Sequence, residues 1–192
     1  MHQAFTRKTY TLQRKMLSIA NQYRIFNPEG NLVMYSKQKM FKLREDIRIY
    51  QDEAMSRELL VIKAQQVIDF AASYQVIDAS SGASVGFLRR KGFSSLVRDH
   101  WQLLTPSREI LGKIEEDQLG KALLRRLLLG SLLPQSYSVD IAGKPAAEFR
   151  QKFHLLRYEL VIDFSLDDQQ VLDPRLGLAA AVLLAAIDGK QN

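Results

Sequence analysis

The chain has 192 residues, of which 46% are hydrophobic and 25% are charged, and it contains no cysteine. These values predict one globular domain over residues 1–192 and argue against global disorder. The lack of cysteine excludes a disulfide-bonded scaffold, a cysteine nucleophile and thiolate metal sites, and it is typical of a reducing compartment such as the cytoplasm.

The formal net charge is +6 at pH 7. A basic balance favours encounters with phosphate groups, on nucleic acid or on lipid headgroups. The alternative is that the charge only supports solubility.

Short β-rich runs follow one another along most of the chain, with turn residues between them. Residues 28–31 (PEGN) separate one clear pair, since proline presets φ while glycine and asparagine accept positive φ. Runs at this spacing predict a sandwich or a barrel, and the lack of alternating helices argues against a parallel doubly wound sheet. The predicted strands cover residues 10–19, 23–27, 32–39, 47–52, 59–66, 72–79, 84–91, 99–105, 109–116, 137–142, 145–154 and 158–165.

One segment interrupts this rhythm. Leu119, Leu123 and Leu127 lie on one face of a predicted amphipathic helix over residues 117–130, and basic side chains lie opposite them. Such a helix packs on its own domain, docks on a protein partner or lies at a membrane interface.

The C-terminal segment carries the most information. Asp173 followed by Pro174 predicts the start of a helix over about 173–188. Residues 176–187 (LGLAAAVLLAAI) have no polar side chain. A helix that is apolar all round must be buried all round, and this run is too short to span a membrane. Burial inside a closed sheet explains the missing polar face, and packing between a sheet and another helix is the alternative.

Four stretches, in this order, carry a resemblance to a known family: KMLSIANQYRIFNPEGNLVMYSK, LLVIKAQQVIDFAASYQVIDASSGASVGFLRRK, HWQLLTPSREILGKIEE, and ELVIDFS with LDPRLGLAAAVLLAAID. The chain resembles the LURP-one-related proteins of the tubby C-terminal-like superfamily, which also includes the phospholipid scramblases. The resemblance implies a mainly β fold with a central helix, namely a closed antiparallel barrel of roughly twelve strands around the buried C-terminal helix. The predicted helix at 117–130 is an addition to that fold.

The sharpest basic cluster is Arg89, Arg90 and Lys91. Side chains alternate along a strand, so Arg89 and Lys91 share one face and Arg90 takes the other. In tubby domains the arginine of a similar Val-Gly-x-Leu-Arg segment contacts a phosphoinositide headgroup, and by resemblance Arg89 has that position here. Lys37 and Lys39 would extend the phosphate-binding patch if the two strands are neighbours. The alternative is a solvated, charged strand face.

Other chemistry has weaker support. Residues 82–86 (GASVG) match the nucleophile-elbow pattern, but Ser84 would lie in a hairpin rather than at the strand-to-helix turn that this motif requires. Asp163, Asp167 and Asp168 precede the last helix at a density that could hold calcium, without the spacing of an EF-hand loop. The three histidines lack metal-ligand spacing. The sequence therefore predicts no cofactor and no enzyme.

The leading hypothesis is a non-enzymatic module that binds anionic phospholipid headgroups, such as phosphoinositides, or a membrane-associated protein partner through residues 117–130. It would act in the cytoplasm, peripherally at a membrane face. A nucleic-acid-binding domain would use the same charge, but the aromatic residues are not interleaved with the basic cluster. A structural scaffold without a ligand is the remaining alternative.

Overall fold

The structure is a computed structural model that describes residues 1–15, 20–39, 46–65, 72–90, 100–116, 135–152, 154 and 156–188. A short 3-10 helix (Gln3–Phe5) comes first, and one α-helix, α1 (Pro174–Asp188), comes last among these residues. Between them lie twelve strands: β1 (Thr9–Lys15), β2 (Ala20–Phe26), β3 (Leu32–Lys39), β4 (Ile47–Tyr50), β5 (Glu58–Ala64), β6 (Ser73–Asp78), β7 (Ser84–Arg90), β8 (His100–Leu104), β9 (Ile110–Glu116), β10 (Ser136–Ile141), β11 (Lys144–Lys152) and β12 (Arg157–Asp163).

The predicted strands are confirmed, with boundaries that shift by a few residues. The strand predicted over 10–19 corresponds to β1 as far as residue 15, and residues 16–19 lie outside the described residues. Residues 51 and 52 belong to a turn rather than to β4. The helix predicted over 117–130 lies outside the described residues.

The sheet closes on itself. Each strand pairs antiparallel with its neighbours in sequence, and β1 pairs with β12, with Thr9 opposite Asp163 and Lys15 opposite Arg157. Local turn chemistry makes the hairpins. At the β2–β3 turn, for example, Gly30 has a φ of 81° and the Asn27 amide donates to the Asn31 carbonyl at 2.9 Å. The closed antiparallel barrel is therefore confirmed.

Helix α1 lies inside the barrel. Its residues 176–187 are all buried, and it contacts β12 on one wall and β5, β6 and β7 on the opposite wall. The inner faces of the strands supply a matching apolar lining, such as Leu12, Ile25 and Leu88. Only a sheet that surrounds the helix can remove all of its faces from water, so the predicted burial inside a closed sheet is confirmed. Within the described residues, no helix combines the length and the hydropathy that crossing a membrane requires.

Helix α1 starts at one end of the barrel, which we call the top, and ends at the other, the bottom. Asp173 caps its start, as predicted, because the Arg175 amide donates to Asp173 Oδ1 at 2.9 Å. Gly177 lets the helix pass close to Phe164, since a Cβ atom there would lie 2.5 Å from Phe164 Cε1. The β6–β7 turn also lies at the top, next to Arg175. The bottom ends of β1, β7 and β12 are at Lys15, Arg90 and Arg157.

Candidate functional site

Strand β7 presents its two arginines to opposite faces of the sheet. Leu88 is fully buried on the inner face, opposite Leu103 of β8. Arg90 has the same orientation, and its guanidinium carbon lies 6.0 Å from the centre of the buried Trp101 ring. Arg89 therefore points outward, whereas Arg90 is on the inner wall and cannot share a surface patch with Arg89. This alternation is the one that the sequence predicts.

A neutral side chain holds the Arg89 guanidinium. Arg89 Nε and Nη2 donate to the side-chain amide oxygen Oε1 of Gln102 at 3.0 and 2.7 Å. Gln102 lies directly opposite on β8 and is 9% exposed, so its position is constrained. An amide orients the guanidinium without neutralising it. Among the described residues, no carboxylate lies within ion-pair distance of Arg89.

Further basic residues face outward on the strands beside Arg89. On one side, Lys113 of β9 lies opposite Gln102 of β8. On the other side, Lys63 of β5 lies opposite Gln75 of β6, and Gln75 lies opposite Phe87 of β7. With strands about 4.8 Å apart, each lysine lies about two strand spacings from β7. Arg108, in the β8–β9 turn, places its guanidinium carbon 4.6 Å from the centre of the Phe87 ring.

We call this outer surface of β5–β9 the Arg89 face, defined by Lys63, Arg89, Arg108 and Lys113. Of these four, Lys113 alone forms an ion pair within the described residues, with Glu115 at 2.8 Å. The Arg89 face therefore keeps most of its positive charge.

Arginines on other strands behave differently. Arg150 of β11 donates to Glu148 at 2.5 Å, and the hydrogen bond to that carboxylate raises the pKa of Arg150. Arg24 and Arg48 form comparable pairs at 2.6 Å with Glu53 and Glu58. The outer surface thus contains both neutralised arginines and, on the Arg89 face, arginines without a carboxylate partner in the described residues.

The lysines proposed to extend the patch do not lie beside Arg89. Lys37 and Lys39 belong to β3, which β4, β5 and β6 separate from β7. Four strand spacings correspond to about 19 Å along the barrel wall, so the condition that the two strands are neighbours is not met. Lys91 lies outside the described residues.

The aspartates before α1 bind the protein's own backbone and side chains. Asp167 accepts from the amides of Val171 and Leu172 at 3.0 and 2.8 Å. Asp163 accepts from the Ser165 amide at 2.8 Å. In the described part of the chain, no three side chains of metal-ligating type come together. The structure thus gives Asp163 and Asp167 a turn-forming role, and it does not bring them and Asp168 together as a calcium site.

Ser84 begins strand β7 in the β6–β7 hairpin. Gly82, with a φ of 69°, belongs to the hairpin turn, so residues 82–86 lead from a turn into a strand. The nucleophile elbow instead needs the serine between a strand and a helix. This geometry differs from the hydrolase motif, in agreement with the hairpin that the sequence predicts.

The structure also forms two clusters that the sequence did not indicate. Arg175 joins Asp173 to Asp78, which is 97 residues away in the chain. On the inner wall, the buried Arg14 lies opposite Tyr23 of β2 and Tyr158 of β12. Both clusters join residues on different elements, and no local spacing or motif could have pointed to them.

Comparison with curated proteins found no match, and neither did comparison with solved structures. The model of one protein family, LURP-one-related, matches residues 33–185, which run from β3 into the final turns of α1. This match covers well over half of the chain, and it includes the Arg89 face and the helix that fills the barrel. The chain belongs to the LURP-one-related family.

Proposed function

We propose that this protein is a non-enzymatic module that binds anionic phospholipid headgroups through the Arg89 face. The observation that supports this most is the state of Arg89, whose guanidinium is held by the neutral Gln102 amide. Two of its N–H groups bond to that oxygen, and no other partner among the described residues competes with an incoming phosphate for the rest. A guanidinium is permanently charged and matches phosphate oxygens in geometry.

The neighbouring residues strengthen this surface. Arg108 is stacked on Phe87, so less side-chain entropy is lost when it binds a ligand. A basic residue near an anionic membrane contributes about 1 kcal/mol, and salt screens the interaction over about 8–10 Å. Several such residues on one face are needed for stable attachment.

The aromatic residues favour lipid over single-stranded nucleic acid. None of the Phe, Tyr and Trp side chains in the described ranges is exposed. Proteins that bind single strands stack bases on exposed aromatic rings beside a basic groove. Phe87, the aromatic residue on the Arg89 face, is 5% exposed and lies under Arg108, so no base can stack on it.

A vesicle-binding experiment with two matched variants tests the proposal. Arg89→Gln and Arg150→Gln each remove one positive charge, but Arg150 is paired with Glu148 and lies four strands away from β7. Binding is measured to vesicles of phosphatidylcholine alone, and with phosphatidylserine or phosphatidylinositol 4,5-bisphosphate added. We expect binding to both anionic vesicles, weakened about fivefold by Arg89→Gln and less than about twofold by Arg150→Gln.

Other outcomes discriminate between the alternatives. Equal losses in the two variants would show that diffuse charge, rather than the Arg89 face, carries the binding. Equal binding to neutral vesicles would contradict an electrostatic mechanism. Binding to single-stranded DNA is measured in parallel over a salt series. Binding to DNA but not to vesicles, with a steep salt dependence, would favour the nucleic-acid hypothesis. If the protein binds neither vesicles nor DNA, the remaining hypotheses are a module that binds a protein partner and a scaffold without a ligand.

A further inference from the structure

On β1, β2 and β3, the inner wall of the barrel changes from apolar to polar side chains towards the bottom. Around the middle of α1 the inward-facing residues of β1, β2 and β3 are apolar, namely Leu12, Ile25 and Met34. One step nearer the bottom, the same strands carry Arg14, Tyr23 and Ser36. Arg14 lies opposite Tyr23, and Tyr23 lies opposite Ser36, so the three side chains are direct neighbours across the sheet.

Arg14 is a buried cation, and the residues that the structure describes give it no counter-ion. It is 5% exposed, and its Nε atom is fully buried with no hydrogen-bond partner among the described side chains and backbone. Its contact with the Tyr158 ring, at 5.4 Å from the ring centre, supplies some compensation. Within the described residues Arg14 forms no ion pair. Because arginine cannot lose its charge in a protein, it cannot avoid this desolvation by becoming neutral.

The nearest acidic residue on a neighbouring strand points the other way. Glu159 of β12 faces outward, where it accepts from Gln13 at 3.2 Å and pairs with Arg157 at 3.0 Å. Helix α1 ends at the bottom of the barrel, and its negative dipole end favours a cation there. However, the helix dipole does not supply a hydrogen-bond acceptor for Arg14 Nε.

Tyr23 and Ser36 add two hydroxyl donors to the same place. Tyr23 is fully buried and Ser36 is 1% exposed, and within the described part of the chain neither hydroxyl group donates to an acceptor. Burial raises the pKa of Tyr23 to about 12, against the smaller, opposite effects of the Arg14 charge and of the Arg14 guanidinium as a hydrogen-bond donor to the phenol oxygen. The phenol therefore stays protonated at neutral pH and can donate. Three adjacent buried donors that find no acceptor among the described residues cost stability unless an acceptor joins them.

We propose that the inner wall at the bottom of the barrel binds one compact anion, of halide or carboxylate type, between Arg14, Tyr23 and Ser36. The anion would accept from Arg14 Nε and from the two hydroxyl groups. It would also neutralise the guanidinium. This site is on the opposite side of the sheet from the Arg89 face and does not depend on the lipid proposal.

Thermal unfolding of the full chain in different anions tests the site. Sodium bromide or sodium acetate replaces sodium HEPES at constant ionic strength, because the HEPES anion is too large for a fully buried position. We expect the melting temperature to rise saturably with at least one of the two small anions. At ten times the dissociation constant the rise should be about 3–6 °C for a chain of this size.

Three variants locate the anion. Tyr23→Phe and Ser36→Ala each remove one hydroxyl and keep the fold, and each should weaken anion affinity about tenfold or more. Arg14→Met keeps the aliphatic stem and should abolish the anion dependence. Arg89→Gln is the control and should leave the dependence intact.

Three results would overturn the proposal. The first is a wild-type melting temperature that shows no saturable response to bromide or acetate. The second is a response that persists unchanged in Tyr23→Phe and Ser36→Ala. The third is a response that disappears in Arg89→Gln, which would place the anion on the outer surface. If Arg14→Met fails to fold, the two hydroxyl variants still decide between these outcomes.

Discussion

Replacing Asp78 by asparagine should loosen the attachment of α1 to the β6–β7 hairpin. Asp78 Oδ2 accepts from Arg175 Nη1 at 2.6 Å, and Arg175 Nη2 donates to Asp173 at 2.6 Å. Asp78 Oδ1 also accepts from the amides of Ser80 and Ser81. One carboxylate therefore stabilises both the hairpin turn and the first turn of the helix.

The size of the effect follows from the pKa of Asp78. Burial by itself raises this pKa, but the hydrogen bonds from Ser80 and Arg175 outweigh burial and lower it to about 2. Against an ordinary value of about 3.9, the difference corresponds to about 2.6 kcal/mol at most, and solvent screening reduces it to about 1–2 kcal/mol. Because the folded-state pKa is depressed, this stability is present above pH ~4 and is lost as the pH falls towards ~2.

Urea unfolding followed by circular dichroism at pH 7 and at pH 3 measures the effect. At pH 7 we expect Asp78→Asn to lower the free energy of unfolding by about 1–2 kcal/mol, and near pH 3 roughly half of that difference should remain. The control is Asp52→Asn, since Asp52 accepts from Ser56 in the exposed β4–β5 turn but pairs with no arginine in the described part of the chain. Its effect should be smaller. Equal stability of Asp78→Asn and wild type at pH 7, or a difference that does not shrink with pH, would refute the reasoning.

Further substitutions test the packing of α1 and one turn. Gly177→Ala should lower the free energy of unfolding by about 1–3 kcal/mol, because the new methyl group would meet Phe164 at 2.5 Å. Leu178→Ala should cost about 2–5 kcal/mol in urea unfolding, whereas Leu166→Ala, at a half-exposed position, should stay within about 0.5 kcal/mol. Gly30→Ala should cost about 1 kcal/mol through its positive φ, although no atom blocks the methyl group. A Gly177→Ala midpoint equal to that of wild type would contradict the close approach.

The candidate site was partly predictable. The sequence alone predicts that Arg89 and Arg90 point to opposite faces of the sheet, because side chains alternate along a strand with a period of two residues. The hydrogen bonds from Arg89 to Gln102 were not predictable, because they depend on the register between β7 and β8. The extension to Lys37 was conditional on its strand lying beside β7, and that condition is not met, since the position of β3 around the barrel is a property of the whole sheet.

The strands and the buried helix follow from local chemistry that the amino-acid sequence states directly. Turn residues such as Gly30 set the hairpins, and the apolar run at 176–187 can be stable only when covered on every side. Closure of β1 onto β12 joins the two ends of the sheet, and its energy comes from pairings about 150 residues apart that no local pattern encodes. That closure decides which side chains meet. It places Arg14 between Tyr23 and Tyr158 and surrounds α1 with the apolar side chains of the inner wall.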